Sequence, residues 1–163
     1  MVAVRLATMD DAEIIARQTS AVQQLHTDAL PDIFKPPSAD LFPAQKLAAL
    51  LQDADSVVAV AEMDGRIVGH IYGAIVRRAD NAFNRPGSHI YIHQIGVDEA
   101  CRRGGVGTAL VTFVLDRARA MGVLAVHVDH WAFNARAASF FEACGFQPMK
   151  IVMRHALKDD SLR

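Results

Sequence analysis

The stretch Tyr91-Ile92-His93-Gln94-Ile95-Gly96-Val97-Asp98-Glu99-Ala100-Cys101-Arg102-Arg103-Gly104-Gly105-Val106-Gly107-Thr108-Ala109-Leu110 limits what this chain can fold into more than any other. Up to Val97 it alternates as a pleated strand does. Further on, Val106, Ala109, Leu110, Phe113, Val114 and Met121 fall on one stripe of a helical period. Two arginines and three glycines lie where strand gives way to helix. That order predicts an anion site. The N–H groups of a first helical turn have no partner inside the helix, the helix dipole adds roughly half a positive charge there, and glycines without Cβ let a ligand come close. A phosphate suits such a loop.

The remainder of the chain reads as the support for this unit. A length of 163 residues predicts a single domain over 1–163, large enough to bury about 68–70% of its unfolded surface. The net charge of −1 gives no general attraction to nucleic acid or lipid, so any phosphate binding is local. Cys101 and Cys144 have no metal or redox spacing, and the seven histidines lack the paired spacing of a zinc site; no metal is expected. The opening Met-Val-Ala-Val-Arg runs straight into a strand, with neither a leader pattern nor a long apolar run, which predicts a cytoplasmic protein.

In chain order, residues 2–6 alternate as a strand, and Thr8 or Asp10 can cap a helix carrying Ile14, Ile15, Val22 and Leu25. Three prolines make the segment from His26 to Pro37 a loop. A second helix is expected from about Ala39 to Gln52, with Leu41, Leu47, Leu50 and Leu51 inward. Val57–Met63 and Ile67–Val76 flank Asp64-Gly65 as an antiparallel hairpin. Residues 77–88 read as a loop and Ser88–Asp98 as the central strand, with Ile90 and Ile92 on one face and Tyr91, His93, Ile95 and Val97 on the other. A helix at 105–121 ends at Gly122. A strand from Val123 to Asp129, a short helix capped by Asn134 and a last strand from about Lys150 to Leu157 complete the pattern. This is an α+β, or α/β mixed-sheet, fold: mostly antiparallel at first, with a crossover helix after the central strand.

Three kinds of glycine loop compete for residues 102–108. A nucleotide-hydrolase loop needs Gly-Lys-Ser/Thr, and no lysine precedes Thr108. A dinucleotide fingerprint places its third glycine where Leu110 stands, and too little chain follows Asp129 to build the remaining parallel strands. The third match is closer. Arg102-Arg103-Gly104-Gly105-Val106-Gly107 follows a strand ending Ile95-Gly96-Val97, and Asn134-Ala135-Arg136-Ala137-Ala138-Ser139-Phe140-Phe141-Glu142-Ala143-Cys144-Gly145-Phe146 follows later. Together they resemble the Arg/Gln-x-x-Gly-x-Gly/Ala and Asn-x-x-Ala-x-x-x-Tyr-Glu-x-x-Gly-Phe motifs of the GNAT superfamily of acyl-CoA-dependent N-acyltransferases. The order of elements is similar over nearly the whole chain.

The resemblance implies a function and a site. Acetyl-CoA would be the co-substrate and a primary amine the acceptor, on a small molecule or a peptide. A homodimer is the family's habit. The backbone of Ile95, Gly96 and Val97 would pair with the pantetheine arm, and Arg102, Arg103, Gly104, Gly105, Val106, Gly107 and Thr108 would surround the pyrophosphate. Asn134, first of all a helix cap, would also meet the cofactor arm. Phe141 stands where many relatives carry a tyrosine that protonates the departing thiolate. A thiol of reference pKa ~8.5 leaving at neutral pH costs only about 2 kcal/mol, so the phenylalanine implies a slower step or a relocated acid.

The acceptor's own proton weighs more. A lysine-like amine of pKa ~10.4 costs about 4.6 kcal/mol to deprotonate at pH 7, against about 1 kcal/mol for an α-amine. Tyr91 and His93 lie on the strand before the loop; His93 is the better base, acting through water, and Tyr91 the better donor. The plain alternative for both is a polar group satisfied in a half-buried sheet. Substrate contacts are expected from His26, Phe34 and Trp131, with Asp28 and His89 as further candidates, each with a packing or surface role as its alternative. Neither cysteine suits a covalent intermediate, so direct attack in a ternary complex is expected. The competing function is an acyl-CoA-binding module without catalysis.

Overall fold

The computed structural model describes residues 1–157. Five strands form one sheet in the order β1 (Ala3–Leu6), β2 (Ser56–Met63), β3 (Arg66–Arg78), β4 (Gly87–Val97) and β5 (Val126–Val128). The first four pair antiparallel and β5 joins β4 in parallel. The helices are α1 (Ala12–Ala29), α2 (Ala44–Gln52), α3 (Val106–Ala120) and α4 (Ala135–Ala143). This is the mixed α+β sheet that the sequence predicts, with α3 as the parallel crossover.

Two separate cores sandwich the sheet. Val57, Ala59, Ala61, Ile71, Ile90 and Ile92 meet Val106, Leu110, Val111 and Val114 of α3 on one face. On the other, Val58 and Val60 meet Ile15 of α1, Leu47 of α2 and Phe42. The alternation along β2 sorts its side chains between the two. Asp64 and Gly65 both take positive φ, 52° and 74°, as a two-residue hairpin turn requires. Near the start, Arg5 donates to both carboxylate oxygens of buried Asp11, at 2.7 and 2.9 Å, and Asp11 also accepts the Thr8 N–H at 2.8 Å. That carboxylate closes the entry to α1.

Several boundaries differ from the sequence expectation for identifiable reasons. The first helix runs on to Ala29, so His26 and Asp28 sit on its last turn and not in a loop. The second begins at Ala44, because Pro43 (φ −68°, ψ 156°) is its cap and Leu41 precedes it. Within it Leu47 is buried, while Leu51 faces outward. Strand β5 is three residues long, since Val123 is spent closing α3: with Gly122 left-handed, the Val123 N–H reaches the Ala118 carbonyl at 2.9 Å and Gly122 reaches Arg119 at 3.1 Å. Gly145 and Phe146 end α4 in the same way. The strand expected at 150–157 is absent. Residues 150–157 carry no strand pairing, and Ile151, Val152, Met153 and Leu157 lie in solvent; alternation without a partner edge does not make a ladder.

Candidate active site

The site begins with a misfit in the sheet. Tyr72 pairs with Gln94, but the next residue, Gly73, pairs with Ile92, so His93 is an extra residue in β4. The bulge is accommodated at Gly73, where a Cβ would come within 2.7 Å of the Tyr91 carbonyl oxygen. A bulge shifts the alternation by one. Tyr91 and His93 therefore stay on the α1/α2 face, whereas Ile95 and Val97 cross to pack with the α3 core. In their place Gln94 and Gly96 turn toward α1. The expectation that Tyr91, His93, Ile95 and Val97 share a face is thus corrected.

The same region has an open edge. Pairing with β5 covers Ile90, Ile92 and Tyr91 only. Beyond it, the Asp98 N–H donates to Val68 of β3 at 2.9 Å. Because antiparallel bonding alternates, the main-chain groups of Gln94 and Gly96 point to β3, and those of Ile95 and Val97 point to the unpaired side. An extended amide-bearing chain is the natural partner of such an edge.

At the end of β4 a 3-10 turn, Glu99–Cys101, leads into the glycine loop. Arg103 (φ 65°) and Gly105 (φ 80°) are left-handed, a sequence of turns that gathers backbone N–H groups into a concave nest. The first bond within α3 is from Ala109 to Gly105, at 2.9 Å, which leaves the N–H groups of Val106, Gly107 and Thr108 unspent at the positive end of the helix dipole. All three residues line the cleft. Arg102 reaches Glu99 at 3.1 Å, and the Arg103 guanidinium makes no ion pair among the described residues. Gly107 has a second reason to be glycine: a Cβ there would stand 3.0 Å from the Phe140 ring. Its smallness seats α4 on α3, while the space at Gly105 is open.

On α4, Asn134 Oδ1 accepts the Ala137 N–H at 3.0 Å, which confirms the cap and leaves its amide nitrogen to the cleft. Phe141 lies at the cleft wall, buried between Phe140 and Phe146 with ring centroids 5.1 and 5.7 Å away. Cleft residues Ile95 to Val97, the loop 102–108 and α4 enclose one part of a cavity of about 890 Å³.

The other part lies past His93. Its ring stacks on Tyr72 and leans on Tyr91, both at 5.2 Å, with its outer edge in solvent. Loss of water on the crowded side, and then the nearby Lys46 ammonium, lower its pKa; Asp129 opposes them. The Tyr91 hydroxyl donates to Asp129 Oδ2, and burial together with that carboxylate pushes the phenol up to about 12. Tyr91 is therefore a proton donor throughout the neutral range. His89 stacks on His127 at 3.8 Å, one strand-step away from Tyr91, and does not line the cleft.

The three residues expected at the substrate end do come together. His26 stacks on Phe34 at 5.0 Å, Phe34 meets Trp131 edge-on at 5.1 Å, and Phe133 closes against His26 at 5.9 Å. Of these, His26 and Trp131 reach the cavity, and Phe34 and Phe133 stand behind them. Sequence reasoning missed Phe133 and Asp129 as site residues. A parallel β5 beside β4 puts residues 127 and 129 next to Tyr91 and His93, a signal available once the crossover was recognised.

Behind the open edge sits a polar cluster. Gln18 of α1 donates from Nε2 to Asp98 Oδ1 at 2.9 Å, so its Oε1 must accept from His70 Nδ1, also at 2.9 Å. His70 is fully buried, burial lowers its pKa to about 4, and its Nε2 has no partner. The next residue, Thr19, donates to Gln94 Oε1 at 3.2 Å. Gln94, Gly96 and Asp98 are thus held from one side by α1 and His70.

Among the described residues there is no cluster of metal-ligating side chains and no helix long and apolar enough to cross a membrane. The profile of the acetyltransferase (GNAT) family matches residues 19–146. No functionally curated protein matches in sequence. Among solved structures, a tetramutant of the BH1408 protein from Bacillus halodurans is 26% identical with a TM-score of 0.88, covering 95% of this chain and 99% of that one. An acetyltransferase of Trypanosoma brucei is 22% identical (TM-score 0.68; 96% and 100% covered). Glucosamine-6-phosphate N-acetyltransferase of Arabidopsis thaliana is 19% identical (TM-score 0.65; 97% and 99% covered) and is alike in fold.

Proposed function

The chain belongs to the GNAT family of acetyltransferases, and from that premise we propose that it transfers an acetyl group from acetyl-CoA to a primary amine by direct attack. The observation that carries this reading is the unpaired edge at Ile95 and Val97 leading into the unspent N–H groups of Val106, Gly107 and Thr108. One surface offers a ladder for the two amides of a pantetheine arm and, at its end, a cradle for a diphosphate. The residues present fit coenzyme A in both respects.

In this reading the Val97 N–H faces the thioester carbonyl. A fixed donor aimed where negative charge develops is worth about 2.7–4 kcal/mol to an acyl transfer. His93, kept neutral at pH 7 by its lowered pKa, takes the proton of the acceptor amine through water. Tyr91 does not line the cleft itself; its hydroxyl fixes the Asp129 carboxylate, which does, beside the amine. Departure of the thiolate needs about 2 kcal/mol against its reference pKa, which water can meet without a tyrosine at position 141. Cys101 and Cys144 have no part, and burial raises the Cys144 thiol.

Phe141 favours one alternative, a domain that binds acyl-CoA and does not transfer it. Calorimetry with coenzyme A, paired with free-thiol release from acetyl-CoA over a panel of amines, separates the two. Heat with no thiol release from any amine supports the binding module; the absence of heat at millimolar coenzyme A removes both.

A further inference from the structure

The acceptor end of the cleft carries more than proton handling requires. It is walled by Gln24, His26 and Asp28 from the last turns of α1 and by Asp129, His130 and Trp131 after β5. Two carboxylates face this space. Asp28 is met by the neutral Gln24 amide at 2.6 Å and Asp129 by the Tyr91 hydroxyl, and neither has a cationic partner among the described residues. Neither wall segment contributes a lysine or arginine. The arginines that line the cleft are Arg102 and Arg103 on the loop and Arg136 on α4.

Two of the histidines here, His26 and His93, are held toward the neutral form, because loss of water lowers the pKa of both. Lys46 is held over the rings of Phe42 and Tyr72, at 5.0 and 5.7 Å, behind His93 and outside the lining. What remains is a negatively charged hollow with an indole in its wall. The indole is fixed in place, because Phe34 braces it edge-on and His26 braces Phe34. Carboxylates together with an aromatic face form the chemistry that recognises a cation. The same groups repel an acceptor that carries a phosphate or carboxylate.

Resting on the acetyl-transfer reading above, we propose that the acceptor is a di- or polyamine: one amine goes to His93 beside Asp129, and a second, cationic nitrogen is held between Asp28 and Trp131. A primary monoamine of the same length lacks only the second charge, so the preference is measurable as a ratio.

The test compares kcat/KM for putrescine, pentylamine, phenethylamine and γ-aminobutyrate at saturating acetyl-CoA. Putrescine is expected to exceed pentylamine by about tenfold or more, with γ-aminobutyrate the poorest, since one tenfold step corresponds to a single modest cation contact. Asp28→Asn should bring the putrescine to pentylamine ratio down toward one. Trp131→Leu should lower it and Trp131→Phe should retain most of it. The proposal is overturned if phenethylamine or γ-aminobutyrate is the best acceptor, if the ratio is near one in the unmodified protein, or if Asp28→Asn leaves it unmoved. Titration of the same protein with coenzyme A keeps the two readings apart. Coenzyme A binding with acetylation of other amines but of none of these four overturns the diamine inference alone, whereas binding with no acetylation of any amine, or failure to bind coenzyme A, removes the transfer reading on which it rests.

Discussion

Replacing Gly96 by alanine should damage this protein out of proportion to one methyl group. The added Cβ would stand 2.7 Å from His70 Cε1, 3.1 Å from its Nδ1 and 3.5 Å from Val22 Cγ2. The first distance is shorter than any real Cβ contact. His70 has 0% exposure, so its ring cannot move out into solvent without displacing neighbours. Overpacking of this kind costs about 1–3 kcal/mol. If the ring swings away it also gives up the Nδ1–H bond to Gln18, and a buried group left unsatisfied costs about 1–3 kcal/mol more. A destabilisation of about 2–6 kcal/mol is therefore expected, read as the shift in urea midpoint at constant slope. Because the strain sits directly behind the open edge, kcat/KM for acetyl-CoA should also fall by tenfold or more, roughly the factor that 1.4 kcal/mol produces. The decisive measurement is a double-mutant cycle with His70→Ala, which removes the obstructing ring. The two substitutions should be strongly non-additive, with the alanine at 96 costing far less once position 70 is small. If Gly96→Ala alone costs under about 0.5 kcal/mol, or if the two effects simply add, the account of His70 as the brace of this strand is wrong.

Other perturbations test other parts. Arg5→Met strands the buried Asp11 carboxylate and should cost about 2 kcal/mol at pH 7. Hydrogen bonds from Arg5 chiefly hold the Asp11 pKa below its ordinary value, so this stability is present above the unfolded-state pKa and is lost as pH falls through the folded one. Urea melts of the two proteins should converge in acid, and a gap that stays constant down to low pH would rule the linkage out. For His93, whose pKa is lowered, the acid limb of kcat/KM should fall below the ordinary histidine value, and His93→Ala should abolish it; a profile unchanged by the substitution would take the base role from this residue. Tyr91→Phe and Asp129→Ala remove opposite ends of one hydrogen bond, so their effects on kcat should be similar and should not multiply in the double variant; full multiplication would mean that they act separately.

Much of the scaffold was legible because local chemistry decides it. Asp64-Gly65 has few options besides a hairpin turn, Asn134 besides a cap, and Gly122 besides a helix end. The glycine loop could be located from its place between alternation and helical period. The bulge at His93 was not legible, since nothing in β4 itself announces it and its cause, Gly73, is on the neighbouring strand. Extrapolating an unbroken pleat consequently sent Ile95 and Val97 to the wrong face. The aromatic wall was half visible: His26, Phe34 and Trp131 were reasonable candidates by type, but their convergence with Phe133 joins residues 26–34 to residues 131–133, which no periodicity relates. The strand expected at 150–157 failed for the converse reason, a suitable pattern with no edge to receive it.

The additional residue in β4 also determines where this protein can tolerate a change of length. Ile90 and Ile92 before His93 and Ile95 and Val97 after it face the same core only because one residue is extra. Losing His93 itself would leave a regular ladder with both cores unchanged, whereas inserting a second residue beside it would transpose everything up to Asp98. Ile95 and Val97 would be delivered to the polar cluster on α1, and Gln94 and Gly96 to the aliphatic interior under α3. No rotamer change repairs an error of phase. Between Arg78 and Gly87, by contrast, the chain makes its turn in solvent, and an insertion there would alter neither core. Homologous chains with insertions would thus be expected to carry them in that outer loop and not between Ile92 and Asp98.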